Sequence, residues 1–95
     1  MEIKLTINEV EKIFKAPPIP LRKLDEVFAL TDKIENGLSS TKLFYELVNF
    51  TISIYGKQFS KDELLDGFYP AGDFINKALE DLSKVSGGFE EKVKN

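Results

Sequence analysis

Three prolines within four positions, Pro17, Pro18 and Pro20, divide this chain. Each lacks an amide donor and holds φ fixed, so neither a helix nor a strand ladder runs through them. Each also disfavours helix in the residue before it. Residues 1–15 must therefore complete their own structure, and the rest of the chain must start afresh. Pro20 suits the first turn of a helix that follows.

Before the prolines, Glu2-Ile3-Lys4-Leu5-Thr6-Ile7 alternates polar and apolar residues strictly, which predicts a half-buried strand. Asn8-Glu9 suits a turn, and Val10 to Lys15 can return as a second strand with Phe14 and Ile13 on opposite faces. A lone hairpin is marginal in water, so the Ile3, Leu5 and Ile7 face must pack on something.

After the prolines the period changes to that of a helix. A first helix is expected from about Pro20 to Glu35. Leu21, Leu24, Val27, Phe28, Thr31 and Ile34 share one arc, and Asn36-Gly37 closes it. A second is expected from Thr41 to Tyr55, capped by Ser39, Ser40 or Thr41 and stopped by Gly56. Its polar strip is only Glu46, Asn49 and Ser53, so it should be the central, most buried helix. Ser60-Lys61-Asp62-Glu63 spells a capping box that opens a short third helix, closed by Gly67. Asp73 can cap a fourth, whose apolar face is Phe74, Ile75, Ala78, Leu79, Leu82 and Val85. Ser86-Gly87-Gly88 should end order.

The expected architecture is α+β, predominantly α: a short N-terminal β-hairpin (2–15) followed by a compact cluster of about four helices (20–85). Residues 1–86 form a single domain and 87–95 a flexible tail.

Composition narrows the chemistry. The 95 residues include no His and no Cys. That removes His-based acid–base catalysis, the common nucleophile triads, the usual zinc ligand sets and any disulfide framework. Thirteen Lys and Arg against 16 Asp and Glu give a net charge of −3, with the acidic excess late in the chain. This balance does not make the basic footprint that nucleic-acid binding needs. No run approaches the roughly 18 apolar residues of a membrane span, and no signal pattern opens the chain, so a cytoplasmic protein is expected.

Asp62, Glu63, Asp66 and Asp73 gather where helices start, which suits the helix dipole better than a metal site. Glu80-Asp81 reads as a solvated face. Gly37, Gly56 and Gly67 read as helix punctuation and not as a phosphate loop. No catalytic site, metal or cofactor is expected. The aromatics carry more information: eight Phe and three Tyr exceed what a small core must hold. Some of Phe14, Tyr45, Tyr55, Phe68 and Tyr69 should reach the surface and meet a partner. A small core with surplus aromatics also favours weak homo-oligomers or head-to-tail arrays over an isolated monomer.

The run Tyr55-Gly56-Lys57-Gln58-Phe59-Ser60-Lys61-Asp62-Glu63-Leu64-Leu65-Asp66-Gly67 resembles the central signature of the tail assembly chaperones of siphophages and prophages of Gram-positive bacteria. There a helix ends at a Gly, Gln-Phe-Ser/Thr follows, and an acidic-leucine segment closes on Asp-Gly. The alternating first strand, the turn opened by Asn8, the return through Phe14 and Ala16-Pro17 are similar too, so the resemblance spans roughly residues 2–85. One position departs: Glu9 stands where the family commonly has a Gly, which predicts a longer or irregular hairpin turn.

The resemblance implies a non-enzymatic role. Such chaperones bind the tape-measure protein, keep it soluble, help recruit tail-tube subunits in the host bacterial cytoplasm, and are absent from the mature virion. The alternative from composition alone is a small phage or host regulator or inhibitor acting by protein–protein contact. Tyr55 and Phe59 flank the Gly56 break, while Phe68 and Tyr69 flank the next turn. These four rings are expected to rim a groove between helices two and three that takes a client helix.

Overall fold

The computed structural model describes residues 1–87. An antiparallel hairpin of β1 (Glu2–Ile7) and β2 (Val10–Lys15) leads into four helices: α1 (Lys23–Glu35), α2 (Ser40–Ile54), α3 (Lys61–Gly67) and α4 (Phe74–Val85). A single 3₁₀ turn, Ala71–Asp73, precedes α4. The protein is α+β and predominantly α. The tail expected over 87–95 lies, apart from Gly87, outside the described residues.

The hairpin pairs Glu2 with Lys15 and runs in register to Ile7 opposite Val10. The turn is neither long nor irregular, contrary to the expectation from Glu9. Asn8 and Glu9 alone connect the strands, with φ of 53° and 66°. Both are left-handed, the conformation that matches the strand twist in a two-residue turn. Asn adopts it readily, whereas Glu9 does so at a cost of about 1 kcal/mol. Ile3 and Leu5 are buried, and Phe14 packs on the same core while Ile13 faces water.

Helix starts and stops follow local chemistry. Helix α1 begins three residues later than expected. Tight hydrogen bonds from the amides of Lys23, Leu24 and Asp25 to the carbonyls of Pro20, Leu21 and Arg22 form a turn before it. Leu21 therefore lies outside the helical period and is 81% exposed. The inward face centres on Val27 and Leu30, which leaves Phe28 at its exposed edge. Helix α2 is capped by Ser39, whose hydroxyl accepts from the Lys42 amide. It ends where the Lys57 and Gly56 amides reach back to Ile52 and Ser53 at 3.0 and 3.1 Å, with Gly56 at φ 71°. The capping box of α3 forms in both directions: the Ser60 hydroxyl accepts from the Glu63 amide, and the Glu63 carboxylate from the Ser60 amide. Asp73 makes no side-chain cap on α4.

Helix α2 runs through the middle, packed on α1, α3 and α4, with Leu47, Val48, Phe50, Thr51 and Ile54 buried. Two residues of its polar strip bond to α1, while Asn49 faces water. Glu46 accepts from Lys33 of α1 at 2.9 Å, and Ser53 donates to Glu26 while accepting from Lys23 at 2.6 Å. Helix α3 lies against β1, and Gly67 sets the distance. A Cβ there would stand 2.7 Å from the Thr6 carbonyl oxygen. Gly67 is thus the last residue of α3 and a point of close backbone approach, not a left-handed stop.

One polar cluster crosses the core. Asp81, expected on the solvated face, is 1% exposed. It follows Phe74 by seven residues, so helical geometry turns it inward. Its carboxylate accepts from the Tyr55 hydroxyl at 3.0 Å and from Lys77 Nζ at 2.8 Å to each oxygen. Lys77 also donates to the Tyr55 hydroxyl oxygen at 3.2 Å. Glu80 does face solvent, where Lys84 binds it at 3.1 Å.

Three outcomes follow from this packing. Gly67→Ala should destabilise the fold by roughly 1–3 kcal/mol, because the Thr6 backbone must move; thermal melting reads this directly. Glu9→Gly should stabilise it by up to about 1 kcal/mol by relieving the left-handed residue. The third outcome concerns pH. Burial pushes the Tyr55 hydroxyl far above its ordinary value, and the charge and hydrogen bond of Asp81 add to the shift. An unfolded tyrosine ionises near pH ~10, so the native chain keeps a proton that the unfolded chain gives up beyond that pH. This stabilisation is complete below about pH 10 and declines as pH rises further. Tyr55→Phe should cost roughly 1–3 kcal/mol at neutral pH and flatten the alkaline decline in denaturant midpoints.

Candidate functional site

The four aromatic residues expected to rim a groove part company. Tyr55 is 0% exposed and Phe59 is 4% exposed. Both face the core, where Phe59 packs between Tyr55 and Phe14, with ring centroids 6.0 and 5.1 Å away. Neither presents a surface to a partner. Tyr55 closes the end of α2 because Asp81 and Lys77 satisfy its hydroxyl inside, removing the reason for a tyrosine to stay at the surface. Phe68 is half-buried and Tyr69 is 68% exposed.

A cleft does open beside α2 and α3, but of the four only Phe68 lines it. Phe44 and Val48 come from α2, Leu64 and Leu65 from α3, Phe68 and Ala71 from the segment after it, and Phe74 from the start of α4. Helical spacing places Phe44 and Val48 on one stripe, four residues apart. The capping box starts α3 at the right point to turn Leu64 into the core and leave Leu65 at the mouth. Phe74 anchors the floor. The rings of Phe44 and Phe68 meet it edge-on at 5.8 and 5.4 Å. Leu65 and Tyr45 remain 38% and 42% exposed, and Lys61 Nζ stands 4.7 Å above the Tyr45 ring. The mouth therefore has an apolar wall and one cation over an aromatic face.

The cleft holds about 80 Å³. Small-molecule sites run to roughly 300–1,000 Å³ and carry converging polar groups, so this one suits an inserted apolar side chain better than a cofactor. The groove between α1 and α2 is larger, about 220 Å³, but its charged walls are already joined through the Lys33–Glu46 and Glu26–Ser53 contacts. A third hollow, about 330 Å³, lies among Met1, Ile19, Pro20, Leu21, Leu24, Lys84 and Val85. Its one charged group, Lys84, is engaged by Glu80. Among the described residues no three of His, Cys, Asp and Glu gather closely enough to hold a metal ion, and no helix is long and apolar enough to cross a membrane.

Of the expected rim, then, Phe68 lines the cleft and Tyr69 follows it in the chain, while Tyr55 and Phe59 belong to the core. Sequence reasoning missed Phe44 as a lining residue and Lys61 beside it, while Tyr45, among the rings expected to reach the surface, is exposed. The spacing of Phe44 and Val48 was the available signal. That the cleft forms at all depends on α3 and α4 arriving beside that stripe.

A family model described as phage tail chaperone protein matches residues 1–95. No curated protein and no solved structure matches the chain. The match takes in the hairpin, the capping box and every cleft residue, and the chain belongs to the phage tail chaperone family.

Proposed function

We propose that this chain binds the tape-measure protein of the phage tail, keeps it soluble, and helps bring tail-tube subunits to it. It acts in the host bacterial cytoplasm as a non-enzymatic assembly factor and leaves before the virion is complete. The observation that carries the reading is family membership over the whole chain, joined to an open apolar cleft.

The client contact is a helix laid across α2 and α3, with one apolar side chain seated between Phe44, Leu65 and Phe68. Tyr45 and Lys61 flank it, and Tyr69 extends the contact beyond Phe68. A hollow of about 80 Å³ accepts one anchor at a time. Affinity then comes from many modest contacts along the client and not from one deep pocket. Such contacts hold a long apolar helix in solution yet yield when tube subunits compete for it.

Leu65→Asp tests the site. Leu65 is part-exposed at the cleft mouth, so the fold should lose no more than about 1–2 kcal/mol while a charge enters the apolar wall. In co-expression with the tape-measure protein, the soluble fraction of the client should fall severalfold, and Tyr45→Ala should lower it less. Full client solubility with both variants, each still folding cooperatively, would put the contact on another surface.

A further inference from the structure

The sheet has only two strands, and among the described residues no further strand pairs with the outer edge of β2. The direction of its backbone groups follows from the register. The Ala16 amide donates to the Met1 carbonyl at 3.0 Å, so hydrogen-bonded pairs alternate from there through Phe14, Lys12 and Val10. Glu11, Ile13 and Lys15 must aim their N–H and C=O groups away from β1. The Lys15 carbonyl confirms the direction, since Gln58 Nε2 of the following loop donates to it at 2.7 Å. The side chains of these same three residues share the face of the ribbon turned away from the core, where Ile13 is 61% exposed.

An edge strand with an exposed isoleucine invites pairing. The order acid, isoleucine, base along Glu11, Ile13 and Lys15 is its own complement when read antiparallel. We propose that β2 pairs with β2 of a second copy of this chain about a two-fold axis through Ile13. Glu11 then lies opposite Lys15 of the second copy, Ile13 opposite Ile13, and Lys15 opposite Glu11, giving one four-stranded antiparallel sheet.

The neighbouring registers are worse. An axis through Lys12 sets two lysines against each other, and an axis through Glu11 sets two glutamates together. An axis through Phe14 leaves Glu11 without a basic partner. Only the axis through Ile13 joins outward-pointing backbone groups and matches both charges. The match continues across the ribbon. Lys15 already faces Glu2 in the hairpin register, so it would sit between two carboxylates. Glu11 has only Lys4 at 3.9 Å, a contact open to water on both sides, and remains available. On the other face Lys12 would lie along the half-buried Phe14 of the second copy, its aliphatic stem covering the ring. The Ile13 amides find the Ile13 carbonyls of the second copy and the Lys15 amides the Glu11 carbonyls, while each Glu11 amide shares a Lys15 carbonyl with Gln58, whose bond uses one of the two lone pairs of that oxygen.

Sedimentation equilibrium of the full chain over a hundredfold concentration range tests this. The mass should rise toward that of a dimer. Glu11→Lys and Lys15→Glu should each weaken association about tenfold or more, since each creates two like-charge pairs. The double variant E11K/K15E should recover it, which no merely structural role for either residue explains. Register is read independently, because the native chain has no cysteine. Ile13→Cys should oxidise to a disulfide-linked dimer, as paired Cα atoms in such a ladder lie about 5.5 Å apart. Glu11→Cys should not link to itself but should link to Lys15→Cys when the two proteins are mixed. A strict monomer, or association indifferent to all three charge variants, would overturn the proposal. No client is present in either experiment, so failure here leaves the cleft untouched.

Discussion

A ribbon of two short strands cannot stand in water unless its apolar face is covered, and here the cover is the turn of α3 against β1. Gly67 ends α3 and lets the two backbones meet, since a Cβ there would strike the Thr6 carbonyl oxygen. That approach seals Leu5, which is fully buried, beside Ile3. From the other side Phe14 reaches the Phe59 ring at 5.1 Å, and Gln58 ties the Lys15 carbonyl to the end of α2. The segment from Tyr55 to Gly67 is thus the clasp between hairpin and helices. Its Gly-Lys-Gln-Phe-Ser order follows from four separate tasks: ending α2, holding a strand carbonyl, filling the core and capping α3.

The second constraint is polar. A buried carboxylate is costly unless its oxygens are satisfied, and Asp81 is satisfied by Tyr55 and Lys77 together. The arrangement fixes α4 against the end of α2 in one rotational setting, because a turn of α4 about its axis would strand the charge. It also determines which aromatic residues remain for a partner. With Tyr55 and Phe59 committed to the interior, Phe28, Tyr45 and Tyr69 keep exposed rings, and the half-buried Phe44 and Phe68 line the cleft. The hairpin edge is separate from that cleft, and no cleft residue belongs to β1 or β2. The proposed self-pairing through Ile13 and the proposed client contact at the cleft draw on different parts of the molecule.

Much of the fold was legible because its determinants are local. The strict alternation from Glu2 to Ile7, the proline break, the Ser60–Glu63 box and the glycines after α1 and α2 each act within a few residues, and each acts as read. The errors fall where a distant element intervenes. Glu9 takes a left-handed turn because the strand register on both sides demands two residues there, whatever the preference of the second. Leu21 points outward because the turn bonds before α1 shift the helix start. Asp81 was read by its charge, although its seventh-residue relation to Phe74 already placed it on the inner face.

The sequence by itself determined the element types, their order, the capping of α2 and α3, the lack of His and Cys chemistry, and the family signature. All of these depend on residue identity and spacing along the chain. Only the tertiary structure decided which rings are core and which are contact surface. Tyr55 and Tyr45 sit ten positions apart on one helical segment, about 80° apart around its axis, and both lie beside its apolar stripe. Their difference comes from what arrives opposite: Asp81 and Lys77 from α4 give one hydroxyl a dry partner, while Lys61 from α3 covers the other ring and leaves it open to water.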